Sequence, residues 1–363
     1  MRRSTVLFAT ALFLLPALTA CEGPTGPAGP AGTAGVAGPA GPTGPVGAAG
    51  QDANENCTQC HTDDTGLFAK QVQYAASIHR TGGNFERGNS ASCASCHAHE
   101  GFMDRVANGM ADESSMAFEN TSPINCRTCH QIHTTYTDAD YALTTEAAVT
   151  LMFGGGTFDQ GQANLCASCH QSRPITGAPV LGGADVEITS SRYGVHHGPQ
   201  ASVLSAQGAY AFEGSKSVPS GPNTHGKATT NADGCITCHM AAAYGAQSGG
   251  HTWNMGYDYH GSTRGNYAGC NTAACHDGDV DTLDFNDVQT EVEELLADLA
   301  LELKRVGVMR AADHYAEKGT FAAEVAAAFI NWQMFEEDRS LGVHSPRFVV
   351  AVLTNTIEAM AAF

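Results

Sequence analysis

A mainly α-helical chain with much irregular structure, no substantial sheet and an interior not filled by side chains is what this sequence predicts. Three observations lead there. Among 363 residues only 7% are aromatic and 15% charged, while 41 are glycine. Twelve of the thirteen cysteines fall into six pairs, each with a histidine directly after its second member. From residue 284 onward apolar residues recur at three- and four-residue steps, the helical period, and nowhere does a period-2 run demand a sheet. Lys and Arg together number 18 against 37 Asp and Glu, a formal net charge of −19. Such a chain repels nucleic-acid phosphates and anionic lipid headgroups, which excludes a nucleic-acid partner and a basic membrane patch.

Residues 1–20 read as an export signal. Arg2 and Arg3 precede a short apolar run at 6–15, too short for a membrane span and shaped like a secretory leader. The run ends in Leu18-Thr19-Ala20-Cys21, which resembles a bacterial lipoprotein cleavage box. That resemblance implies that Cys21 becomes a lipid-modified first residue, and it accounts for the one cysteine outside the pairs. Several acyl chains hold a protein stably on a bilayer where one would not. Glu22 rather than an aspartate after the cysteine resembles lipoproteins of the outer membrane, on its periplasmic or cell-surface face.

Residues 21–52 form the next segment. Glycine stands at every third position from 23 to 50, with proline following it at 24, 27, 30, 39, 42 and 45. This is a collagen-like Gly-x-y stalk. Only glycine fits the axis of three packed polyproline-II chains, so a homotrimer is one reading and a single extended spacer the other. Either reaches roughly 90 Å at ~3.1 Å per residue.

Residues 53–283 carry the chemistry. Five motifs are Cys-x-x-Cys-His: Cys57/Cys60/His61, Cys93/Cys96/His97, Cys126/Cys129/His130, Cys166/Cys169/His170 and Cys235/Cys238/His239. A sixth has a wider gap, Cys270/Cys275/His276. From this composition chance gives roughly 0.02 copies of the five-residue pattern, which reads as c-type haem attachment. Cysteines three apart lie on one side of a helical turn, where both sulfurs reach the vinyl groups of one porphyrin. The next residue then presents an imidazole to the iron as proximal ligand. Zinc ribbons, redox dithiols and disulfide frameworks do not require that trailing histidine each time. Six haems c follow, and stacked porphyrins would supply the missing core. Short helices should carry the motifs, with another at 67–78 leading into His79.

Ten histidines remain once the six proximal ones are set aside. Six of them as distal ligands would make every iron six-coordinate; the choices are His79, His133, His197, His225, His251 and His344. His196 competes closely with its neighbour His197. His99, His260 and His314 read as surface or propionate-binding residues, and Met103, Met110, Met240 and Met255 are runner-up ligands.

Residues 284–363 read as a C-terminal helical region. Phe285, Val288, Val292, Leu295, Leu296, Leu299, Leu303 and Val306 form one apolar stripe, with acids near its start and Lys304-Arg305 at its end. Further helices are expected at 309–318 and 320–335. Ser345-Pro346 mark the start of a last helix reaching about Met360.

Several stretches resemble bacterial multihaem cytochromes c: Asn164-Leu165-Cys166 through Arg173, His196-His197-Gly198-Pro199-Gln200, Cys238-His239-Met240 with Gly250-His251-Thr252, and Gly342-Val343-His344-Ser345-Pro346. The last is similar to an element in the helical tails of nitrite-reductase-like cytochromes, where the resemblance implies a distal haem ligand. Those enzymes carry a Cys-x-x-Cys-Lys motif at the catalytic haem, and this sequence has none. The reading favoured is electron transfer through six haems, in anaerobic or extracellular respiration, with other cytochromes or redox proteins as donor and acceptor and no catalytic residue. The alternative is a reductase of a small oxyanion such as nitrite at one open iron.

Overall fold

The computed structural model describes residues 65–110 and 112–363. The leader, Cys21, the Gly-x-y segment and the first motif (Cys57, Cys60 and His61) lie outside the described residues. Within them the chain is mainly helical, with long irregular connections and three two-stranded sheets.

The first half is built from short elements. Helix α1 (Thr65–Ala76) breaks at Ser77, whose hydroxyl accepts from Arg80 N and starts α2 (Ile78–Thr81). Helices α3 (Ala91–His97), α5 (Cys126–Cys129), α6 (Asn164–Ala167) and α8 (Cys235–His239) each carry an attachment motif or its first part. Asn125 and Thr128 close a reciprocal capping box on α5, satisfying donors that so short a helix would otherwise leave open. The sixth motif is held by turns, consistent with its extra residues. Helix α4 (His99–Ala107) packs on α3, and α7 (Gln200–Leu204) is buried between halves of the chain. Strands β1 (Val149–Thr150) and β2 (Thr157–Phe158) pair antiparallel, as do β4 (Gly256–Tyr259) and β5 (Ser262–Gly265).

The C-terminal helices are α9 (Val288–Arg305), α10 (Ala323–Asp338) and α11 (Pro346–Met360). Asp284 caps α9 from outside, its carboxylate accepting from Gln289 N at 2.6 Å, Thr290 N at 3.2 Å and the Thr290 hydroxyl at 2.6 Å. Leu299, Leu303, Phe329, Ile330, Met334, Phe335 and Leu353 are fully buried among the three helices. Each such side chain contributes about 1.5–3 kcal/mol. A conventional side-chain core therefore exists, and it sits in the tail. The other buried cluster is small, Val149, Leu151 and Phe158 with a few alanines and Leu204.

One expectation is corrected. The segment 309–318 is not a helix: it is a loop closed by a Met309–Ala316 bridge, with His314 at φ +60. Its alanines favour a helix locally, but burying Met309 and Ala316 against the tail core overrides that propensity. The C-terminal region packs on residues well before the junction at 283/284. Strand β3 (Val186–Ile188) pairs with β6 (Gly319–Phe321), and Asn331 holds Tyr210 through both backbone groups at 2.7 and 2.8 Å. Asn355 binds the carbonyls of Phe212 and Lys216. The tail thus grips the middle of the motif-bearing region. Among the described residues no helix is long and apolar enough to cross a membrane.

Candidate haem-binding centre

A continuous cavity of about 2670 Å³ runs through the described residues and is lined by all five described motifs. A pocket for one small molecule spans about 300–1,000 Å³, so this space suits several large groups.

Across it the histidines stand in opposed pairs. Ring centroids are 6.0 Å apart for His79 and His170, 6.0 Å for His97 and His196, and 6.3 Å for His130 and His251. They are 6.2 Å apart for His225 and His276, and 6.3 Å for His239 and His344. Two imidazoles facing one metal, each at about 2 Å with about 1.1 Å from nitrogen to ring centre, have centroids roughly 6.2 Å apart. Every described motif histidine thus has one partner at the spacing of two axial ligands. Zinc gathers four ligands at one point. Among the described residues no cluster of three or more ion-holding side chains forms, and the residues fit haem.

Hydrogen bonds orient five of these rings. Nδ1 lies 2.6 Å from Tyr141 O in His130, 3.2 Å from Gln200 Oε1 in His170 and 2.8 Å from Val343 O in His225. It lies 2.9 Å from Trp253 O in His239 and 2.7 Å from Asp338 Oδ1 in His344. A donating Nδ1 leaves Nε2 with its lone pair toward the cavity, the tautomer a metal requires. Burial, with a smaller push from the facing ring, holds His79, His196 and His251 down to about 4. These imidazoles are neutral near pH 7, the form that ligates.

The attachment motifs also touch one another. The Cys96 sulfur meets Cys169, Cys166 meets Cys235, and Cys238 meets Cys270. Cys129 lies beside Cys166. Glycine permits two of these approaches. A Cβ on Gly234 would strike Gln160 and Ala163, just ahead of the fourth motif, and one on Gly269 would overlap the Thr237 carbonyl inside the fifth. Arg105, only 3% exposed, donates to Ser168 O at 2.5 Å inside the fourth motif and lies 3.9 Å from Cys96 Sγ. It ties the second motif to the fourth.

The structure differs from the sequence expectation at one ligand. His196 faces His97, whereas His197 turns outward, 74% exposed, to an ion pair with Glu337 at 2.6 Å. His133 lies apart from those five pairs in sequence order, three residues beyond His130. It sits at φ +67 in a loop fixed by Asp140, its ring stacked on Tyr136. His99 bonds Thr128, His260 sits at the β4–β5 turn against Tyr259, and His314 bonds Lys304. Sequence reasoning missed Arg105, Gln200 and Asp338, whose spacing from their motifs carries no signal.

No family model matches this chain, and no curated protein matches it. A solved structure of an outer cell wall cytochrome, OcwA, is similar over 80% of this chain, with 18% identity and a TM-score of 0.45. The chain spans 50% of that protein's length. The likeness is too loose to carry structural or functional detail across.

Proposed function

We propose that this chain is a hexahaem c-type cytochrome that transfers electrons and performs no bond chemistry on a substrate. The observation that carries it is the set of five opposed histidine pairs around one cavity, each with a motif histidine on one side. When bound, haem iron supplies one-electron exchange between ferric and ferrous states. The chain's residues do the rest. Paired cysteines would hold each macrocycle covalently, and two imidazoles would fill each iron's axial positions, leaving none for nitrite or oxygen.

Contacts between the second, fourth, fifth and sixth motifs support a continuous line of haems, with the third beside the fourth. Export, a lipid on Cys21 and the Gly-x-y stalk would display that line away from an outer membrane. The net charge of −19 favours redox partners with basic faces, steered at low salt. The test is a haem count and spin-state spectrum of the purified mature protein. Six low-spin haems that bind no carbon monoxide when reduced are expected. A high-spin haem binding carbon monoxide or nitrite stoichiometrically would replace this reading with the oxyanion reductase.

A further inference from the structure

Of the five opposed rings with Nδ1 hydrogen bonds, four meet neutral oxygens and His344 alone meets a carboxylate. That carboxylate, Asp338, has a side chain only 1% exposed. Among the described residues the group that meets its charge is the His344 Nδ1–H; the neighbouring Arg339 pairs instead with Glu337. The Ser340 hydroxyl donates to the second carboxylate oxygen and accepts from His344 N at 3.2 Å, fixing the arrangement from both sides. On the opposite face His239 meets only the Trp253 carbonyl. The asymmetry is built into the turn between α10 and α11.

We propose that Asp338 is a positioning residue that lowers the reduction potential of the haem held by Cys235 and Cys238, acting through His344. The inference rests on the bis-histidine reading above. A buried anion one ring away from iron is poorly screened, so its field is felt strongly. It stabilises Fe(III) over Fe(II), and the charge-assisted hydrogen bond makes the imidazole a stronger donor in the same sense. Reduction then takes one electron from a chemical reductant or a neighbouring haem. No bond to iron is made or broken, and the Nδ1 proton stays on His344.

The experiment is a spectroscopic redox titration of the haem-loaded protein against Asp338→Asn and Asp338→Glu. The asparagine keeps an acceptor oxygen and loses the charge; the glutamate keeps the charge. Asp338→Asn should raise one titrating potential, increasing that haem's Fe(II)/Fe(III) ratio at fixed ambient potential at least tenfold, about 59 mV for one electron. Low-spin spectra and the other potentials should stay as in wild type. Asp338→Glu should return the potential most of the way. If neither variant retains haem, Ser340→Ala serves: losing the donor concentrates charge toward His344 and should lower the same potential. Unchanged potentials in a fully low-spin protein overturn the inference and leave the ligation reading standing. A high-spin haem in the wild type overturns both.

Discussion

His196 faces His97 with ring centroids 6.0 Å apart, while the adjoining His197 points the other way to Glu337. One backbone step separates a ring that faces a motif histidine from one held by Glu337. His196→Ala should therefore create one high-spin, carbon-monoxide-binding haem. His197→Ala should leave every haem low-spin. Absorption and electron paramagnetic resonance spectra of the two variants check this, and the reverse pattern would reassign the ligand.

Six covalent haems are expected per chain, including one on the wide-gap motif. Cys275→Ala should lose one thioether and the stable retention of that haem, so intact mass under denaturing conditions should fall by one haem. A wild type carrying five would remove His276 from the ligand set.

Cys21→Ser should move the protein from the membrane to the soluble fraction with its haem content unchanged, because lipid and haem use different cysteines. Fractionation followed by haem staining reads both. Persistent membrane binding would place the anchor elsewhere.

The tail core depends on Asn331, which is fully buried and bonds Tyr210 N, Tyr210 O and the Thr356 hydroxyl. Asn331→Ala leaves those groups short of partners, at about 1–3 kcal/mol for each one orphaned. A stability loss of about 2–4 kcal/mol is expected on that scale. Denaturant unfolding followed in the near ultraviolet, where Trp332 reports on the tail, measures it.

The α9 cap gives a pH-dependent term. The Thr290 hydroxyl, together with the Thr290 and Gln289 N–H groups and against an opposing effect of desolvation, holds the Asp284 carboxyl below its ordinary 3.8. A depressed folded-state value means that the stabilisation is complete above 3.8 and disappears as pH falls through the folded value. Asp284→Asn should therefore lower Tm at neutral pH, and the gap from wild type should narrow in acid below about pH 4. A gap that is constant with pH would mean the carboxylate's charge is not what caps the helix.

The sequence announced the motifs because haem attachment is local: two sulfurs and an imidazole within one helical turn. The α9 stripe and the Ser345-Pro346 start were legible for the same reason. Distal partners were not, because they are set by tertiary path. His79 stands just before the second motif yet faces His170 of the fourth, and His251 follows the fifth motif yet faces His130 of the third. His196 and His197 are adjacent, and the Glu337 that holds His197 comes from α10, far away in sequence. The 309–318 segment misled because its alanines speak for a helix while the bridge that overrules them spans the fold.

The opposed pairs also bear on how the chain is made. A polypeptide is synthesised and exported from its N-terminus. His170 and His276 emerge after their partners, His79 and His225, already exist. His97, His130 and His239 emerge before His196, His251 and His344. On the reading proposed above, the second, third and fifth motifs would wait, one side uncovered, until later chain arrives, the fifth until the turn ahead of α11 has been made. A chain ending before His344 would leave His239 without the ring that faces it and would also lack α11 with its share of the tail core.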